Sequence, residues 1–201
     1  MANVVILDYG GGNLFSLKIA LEKVGLSVTV GTSAADLVEA DAITLPGVGS
    51  FTASLERLDE VKDALRTKAS EGTPLLGICI GLQLFFESSE EGPGTGLSFF
   101  KGSVKQLPKT KKIPHMGWNT LNLIKPNGLL AEIKEGSYVY FVHSFYPEPK
   151  DASIICAKTE YGTIFTSAVC EKNIYATQFH PEKSGETGLK ILKNFARIVL
   201  R

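Results

Sequence analysis

The stretch Pro74-Leu75-Leu76-Gly77-Ile78-Cys79-Ile80-Gly81-Leu82-Gln83 sets the tightest limit on how this chain can fold. Leu75 to Ile78 form a short apolar run that stops at a cysteine and passes directly into a helix. Glycines stand two residues before and two residues after Cys79. That spacing is the pattern of a nucleophile elbow, in which a reactive side chain stands on a strained strand-to-helix turn and small neighbours prevent clashes. The N–H groups that open the helix then point at whatever the sulfur attacks. Such a turn belongs at the carboxyl end of a buried strand in a layered α/β sheet.

The first 90 residues repeat this strand–helix alternation. Val4-Val5-Ile6-Leu7-Asp8 is an apolar run of the kind buried on both faces of a parallel sheet, and Tyr9-Gly10-Gly11-Gly12-Asn13 follows as a turn. Leu14, Leu17, Leu21 and Val24 recur at helical spacing, with Gly25 as a stop. Ser27 to Val30 and Ala42 to Leu45 read as strands, the second ending in Pro46-Gly47-Val48-Gly49. Leu55, Leu58, Val61 and Leu65 mark one further amphipathic helix. The alternation predicts an α/β fold with a doubly wound, mostly parallel central sheet and helices on both faces.

After Glu91 the pattern changes. Gly92-Pro93-Gly94-Thr95-Gly96 is a loop, and from Lys101 to Gln178 no helix longer than a turn or two is expected. Runs at Ser103–Gln106, Tyr138–Val142, Ser153–Lys158 and Thr163–Val169 imply antiparallel strands added to the parallel core. Ile174 to Phe179 is a last strand that runs into His180-Pro181-Glu182. Leu189, Leu192, Phe195 and Val199 share one face of a C-terminal helix. No repeat, low-complexity tract or linker divides the chain, which reads as one domain over residues 1–201.

Charge removes several classes of function. Lysine plus arginine and aspartate plus glutamate number 21 each, so no overall field draws the chain to nucleic acid or an anionic membrane. No apolar run approaches the ~20 residues that span a bilayer. Met1-Ala2-Asn3-Val4 enters a strand at once, without a signal peptide's charged start. Cys79, Cys156 and Cys170 are too few and too scattered for a disulfide framework or a zinc site. A reduced, cytoplasmic, metal-free chain is expected. Lys109, Lys111 and Lys112 read as a solvated loop.

A thiol with a pKa near ~8.5 needs a base or a helix N-terminus to become a nucleophile at neutral pH. His180 is the best placed of three histidines, since it ends a strand and Glu182 follows two residues later. The carboxylate can fix one imidazole nitrogen and leave the other for sulfur. Strand ends gather in one crevice, so Cys79 and His180 can meet there. Acyl transfer also needs an oxyanion hole: the Ile80 N–H is one donor, and the Pro46-Gly47-Val48-Gly49 loop can supply another. Each piece has a plainer reading. Cys79 alone could be a small buried hydrophobe, His180-Pro181-Glu182 a surface loop, and the glycine loop an ordinary turn.

Gly77-Ile78-Cys79-Ile80-Gly81-Leu82-Gln83 and Gln178-Phe179-His180-Pro181-Glu182 together resemble the class I (triad) glutamine amidotransferases. The resemblance runs the length of the chain. Asp8-Tyr9-Gly10-Gly11-Gly12-Asn13, Leu45-Pro46-Gly47-Val48-Gly49, Pro114-His115-Met116-Gly117-Trp118-Asn119, Tyr140-Phe141-Val142-His143-Ser144 and Pro181-Glu182-Lys183-Ser184 resemble one branch, the glutaminase subunits of imidazole glycerol phosphate synthases. It implies that Cys79 attacks the carboxamide of L-glutamine, with His180 as proton carrier and Glu182 as its orienter. N–H groups at Val48, Gly49 and Ile80 would hold the oxyanion; Gly49, Gln83, Glu91 and Ser144 would bind the substrate. Phe145 stands where the family pattern has a tyrosine.

The resemblance also implies a destination for the ammonia. A (βα)8-barrel cyclase subunit would form a heterodimer with this chain and make imidazole glycerol phosphate and aminoimidazole carboxamide ribotide for histidine biosynthesis. Asn13, Met116, Trp118, Asn119 and Lys183 would lie on or near the shared interface. No cofactor or metal is implied. From its own residues, Trp118 lies in a Gly-containing loop, where it is either a hairpin core residue or an exposed anchor, and His115 and His143 are structural or pocket-lining. Two rival readings remain: the glutaminase subunit of another synthase, such as that of pyridoxal phosphate, or a non-catalytic flavodoxin-like protein in which Cys79 is merely oxidisable.

Overall fold

The computed structural model describes residues 2–125 and 127–200; Met1, the first residue of the stretch read for a leader, falls outside them. The alternating half forms β1 (Asn3–Leu7), α1 (Leu14–Lys23), β2 (Ser27–Gly31), β3 (Ala42–Leu45), α2 (Phe51–Leu58), α3 (Lys62–Ser70), β4 (Leu75–Ile78) and α4 (Ile80–Leu84). The second half forms β5 (Ser88–Ser89), β6 (Gly102–Gln106), β7 (His115–Thr120), β8 (Asn122–Leu123), β9 (Tyr138–His143) and β10 (Phe145–Pro149). It ends with β11 (Ile155–Glu160), β12 (Ile164–Glu171), β13 (Ile174–Thr177) and α5 (Gly185–Val199).

Eight of the described strands pair in the order β2-β1-β3-β4-β13-β12-β11-β8. β2 through β13 in that order run parallel, and β12, β11 and β8 continue antiparallel. This is the expected mixed α/β sheet. Strand periodicity explains why its core is apolar on both faces. Val4 and Ile6 pack with Leu17 and Leu21 of α1 and Ile191, Leu192 and Phe195 of α5. Val5 and Leu7 point the other way, to Phe51 and Leu58 of α2 and Leu65 of α3. Each such buried side chain contributes about 1.5–3 kcal/mol. Among the described residues no helix is long and apolar enough to cross a membrane.

Several expectations need correction. The helix read through Leu55, Leu58, Val61 and Leu65 is two helices, broken at residues 59–61. The Val61 N–H bonds back to the Leu58 carbonyl at 2.9 Å, tightening the chain so that Leu58, Val61 and Leu65 all stay buried. The strand read from Ser153 begins instead with a 3-10 turn over Ala152–Ile154, capped by Asp151. Trp118 lies in β7, paired with Tyr140 of β9, not in a loop. β7 and β10 were not anticipated; their polar, Gly- and Pro-containing sequences hide the alternation that marks a strand.

The expectation of a fully reduced chain is also overturned, because Cys156 and Cys170 form a disulfide. The two look scattered in sequence, but β11 and β12 are a hairpin that makes them cross-strand neighbours. A bridge closing a loop of sequence separation 14 stabilises by about 3 kcal/mol in the chain-entropy view. Urea unfolding with and without reductant should therefore differ by about that amount. Cys170→Ser should match the reduced protein and be insensitive to reductant; identical midpoints for oxidised and reduced wild type would contradict the assignment.

Candidate active site

Cys79 sits directly after β4 with φ 56° and ψ −105°, a strained conformation for a residue with a Cβ. The turn closes only because α4 presses against the sheet: a Cβ at Gly81 would overlap the Leu45 carbonyl oxygen at the end of β3. The loop after β3 is held as closely. The Tyr9 hydroxyl donates to the Pro46 carbonyl, and a Cβ at Gly47 would overlap Ile80 and the Tyr9 hydroxyl. Burial, and secondarily the neighbouring Cys79, hold the Tyr9 phenol protonated far above its ordinary range. Gly49 has φ 128°, and Val48 and Gly49 line a pocket beside Cys79.

His180 reaches the same place from the neighbouring strand. β13 runs parallel to β4 in a register that sets Thr177 against Ile78, and the Cys79 N–H donates to the Thr177 carbonyl at 2.8 Å. The His180 N–H then crosses to the Tyr140 carbonyl at 2.9 Å. A 3-10 turn at Pro181–Lys183 brings Glu182 back under the ring, with Nδ1 and Oε1 2.8 Å apart. Both side chains are buried, at 4% and 5% exposed. Ser184 locks the turn: its hydroxyl donates to the His180 carbonyl at 2.6 Å and accepts the Tyr140 N–H at 2.9 Å.

The electrostatics follow from this packing. Burial pulls the His180 pKa down, but Cys79 and Glu182 outweigh it and raise it to about 10. His180 Nε2 is buried with no hydrogen-bond partner of standard geometry among the described residues. With Nδ1–H committed to Glu182, Nε2 is the nitrogen left to exchange a proton with the sulfur, and the raised pKa favours its holding that proton.

A pocket of about 260 Å³ opens over the sulfur, lined by Val48, Gly49, Cys79, Ile80, Gln83, Glu91, Pro114, Val142, His143, Ser144 and Phe145. It therefore gathers Cys79 with every residue read as oxyanion donor or substrate ligand. Glu91 Oε2 accepts the Phe51 N–H at 2.6 Å, so its carboxylate also caps α2. A second cavity of about 370 Å³ lies beyond Val48 and is lined by Asn13, Gly47, Val48, His180, Glu182 and Lys183 among others. A larger cavity of about 600 Å³, beside β8 at Leu123–Ile133, includes none of the site residues.

The residues read as interface positions divide. Met116 is 63% and Trp118 55% exposed, and Trp118 stands over Gly185. Asn13 and Lys183 line the second cavity, and Asn13 caps α1 through the Ser16 N–H. Asn119 differs: its amide contacts His115 Nε2 and donates to the Glu160 carbonyl, and its carbonyl accepts the Thr120 N–H. Its polar atoms are engaged within the chain.

Two features escaped the sequence reading. Gln178, fully buried, donates to Cys79 Sγ at 3.6 Å and accepts from Gln83 at 3.2 Å. Its two-residue spacing from His180 was the available signal, since alternate residues of an extended chain share a side. His115 and His143 form a buried pair with ring nitrogens 3.0 Å apart, and the Phe145 backbone carbonyl accepts from both His143 and Gln83. Position 145 thus contributes its carbonyl, which phenylalanine supplies as well as tyrosine.

The family model described as glutamine amidotransferase class-I matches residues 5–199. The chain is 45% identical over 197 residues to "Imidazole glycerol phosphate synthase subunit HisH" of Methanothermobacter thermautotrophicus, covering 98% of each chain. A protein of the same name from Aquifex aeolicus is 47% identical, covering 96% of this chain and 95% of the relative. Among solved structures, "Structure of PurLQS from Thermotoga maritima" shares the fold with a TM-score of 0.79 at 19% identity, over 98% of this chain and 99% of that one. An elbow cysteine beside a carboxylate-held histidine, within a sequence matched almost end to end, places this chain in the class-I glutamine amidotransferase family.

Proposed function

We propose that this chain, as one catalytic domain over residues 1–201, is the glutaminase subunit of an imidazole glycerol phosphate synthase, working in the cytoplasm in histidine biosynthesis. The buried Cys79–His180–Glu182 arrangement beneath the pocket supports the chemistry most directly. The names of relatives at 41–47% identity select the synthase.

His180 Nε2 takes the Cys79 proton as sulfur bonds to the carboxamide carbon of L-glutamine. The C=O electron pair moves to oxygen, where N–H groups of the Val48–Gly49 loop and Ile80 receive it. Collapse expels ammonia, protonated by His180, and leaves a glutamyl thioester. His180 then deprotonates water, which displaces the thiolate and yields glutamate. Gly49, Gln83, Glu91 and Ser144 hold the amino-acid end of the substrate. Ammonia passes through the cavity beyond Val48 toward the face carrying Asn13, Met116, Trp118 and Lys183. There a (βα)8-barrel cyclase completes the heterodimer, and Asn119 lies on or near the same interface while its amide and carbonyl also brace β7.

A glutamine-analogue chloroketone should label Cys79 at one equivalent, and added glutamine should protect it. With a cyclase subunit and its ribotide ligand, the chain should support glutamine-dependent synthesis. Labelling elsewhere, or activity only with a lyase-type synthase subunit, would overturn the proposal.

A further inference from the structure

One buried side chain touching the nucleophile has no step in the reaction above. Gln178 is fully buried, and its amide faces Cys79 Sγ at 3.6 Å. Neighbouring groups decide which end faces the sulfur. The Phe145 carbonyl can only accept, so the end of Gln83 that meets it at 3.0 Å is the NH2. The same NH2 lies 3.2 Å from Gln178, so the Gln178 atom there is Oε1 and its Nε2 is left for the sulfur. The Phe145 carbonyl is held from its other side by His143 Nδ1–H at 2.8 Å. His143 Nε2 then accepts from His115 Nδ1 at 3.0 Å, so the anchor is itself fixed.

We propose that Gln178 is a positioning residue for the nucleophile: its amide N–H holds the Cys79 sulfur and favours the thiolate, and Gln83 keeps that amide turned the right way. The sulfur's other hydrogen-bond contact is the Val142 carbonyl at 3.6 Å, which only a protonated thiol can satisfy. When the proton moves to His180 Nε2, that contact becomes a repulsion between two electron-rich atoms. The Gln178 contact strengthens at the same moment, because its donor then ends on a charge. Thiol and thiolate are thus held by opposite partners, and Gln178 is the one that selects the reactive form. Other titratable groups near the sulfur are His180, Tyr9, His143 and Glu91, all of which the variants below leave in place.

This inference rests on the reading of Cys79 as the glutamine-attacking thiol, and the test separates the two. Gln178→Met keeps the volume and removes the donor. Alkylation of Cys79 in the full chain by iodoacetamide is followed across pH, alongside thermal unfolding. The expected result is about tenfold slower alkylation at neutral pH, with the midpoint of the rate profile displaced upward by about one unit. A folded Gln178→Met protein with the wild-type rate and midpoint would overturn the proposal, leaving Gln178 a packing residue. Should that variant fail to fold, Gln83→Leu frees the amide to turn and should slow alkylation about threefold. An unchanged rate there overturns the proposal equally. Wild-type protein that resists the glutamine-analogue chloroketone would instead defeat the reading of Cys79 itself.

Discussion

Cys79→Ala should abolish glutamine-dependent synthesis in the complex while ammonia-dependent synthesis continues at the wild-type rate. The sulfur forms the covalent bond, and no other thiol replaces it, since Cys156 and Cys170 are joined to each other. The partner's chemistry needs only ammonia, so external ammonium bypasses the lost step. Glu182→Gln gives a graded version of the same result. Its carboxylate fixes the Nδ1–H tautomer of His180 at 2.8 Å, and an amide can instead present its own N–H and turn the imidazole's free lone pair the wrong way. In comparable triads that error costs about 10⁴ in turnover, and a loss of at least about 10³ is expected here. Paired glutamine and ammonia assays on one preparation check both variants. Parallel losses in the two assays would mean a damaged complex rather than a damaged triad.

Stability should fall on mild acidification, before the carboxylates titrate. Burial holds His143 neutral and lowers its pKa to about 3, with the Phe145 carbonyl partly opposing and His115 and His180 adding to the shift. Burial likewise lowers His115 to about 4. Both lie below the unfolded value near ~6.5, so between those limits the unfolded chain binds more protons. The stabilisation is therefore complete above about pH 6.5 and is lost as pH falls through the window. His143 alone should remove about 1.4 kcal/mol per pH unit between roughly pH 6 and 4, and His115 adds in the same direction. Urea denaturation at a series of pH values measures the slope. His143→Gln should flatten it whatever its effect on absolute stability. An unchanged slope would show that the acid sensitivity arises elsewhere.

Legibility in the sequence followed how local the signal was. β1, β3 and β4 are continuous apolar runs because both faces are covered, and they could be read directly. The elbow was legible because its constraint spans only Gly77 to Gly81. Cys79 and His180 could be joined from the rule that strand ends share a crevice. What failed was information carried by pairing. β7 is a strand because β9 lies beside it, and its own residues do not alternate. The Cys156–Cys170 bridge exists because a hairpin folds, and sequence separation concealed it. The Gln178–Gln83 bond and the His115–His143 pair join separate segments, which no spacing within one segment reveals.

The parallel pairing of β4 with β13 has a further consequence for how the site connects to the rest of the chain. Nucleophile and base follow adjacent strands about 4.8 Å apart, so the sheet brings them close although about a hundred residues separate them in the chain. Between them the chain makes a long excursion over residues 88–171, part of which adds β12, β11 and β8 to the same sheet beside β13. The excursion's β9 is tied to the site, since the Tyr140 carbonyl holds the His180 N–H and the Val142 carbonyl touches Cys79 Sγ at 3.6 Å. The exposed strand β7 is therefore only one strand away from the reacting groups, because β9 pairs with it on one side and touches Cys79 and His180 with its Val142 and Tyr140 carbonyls.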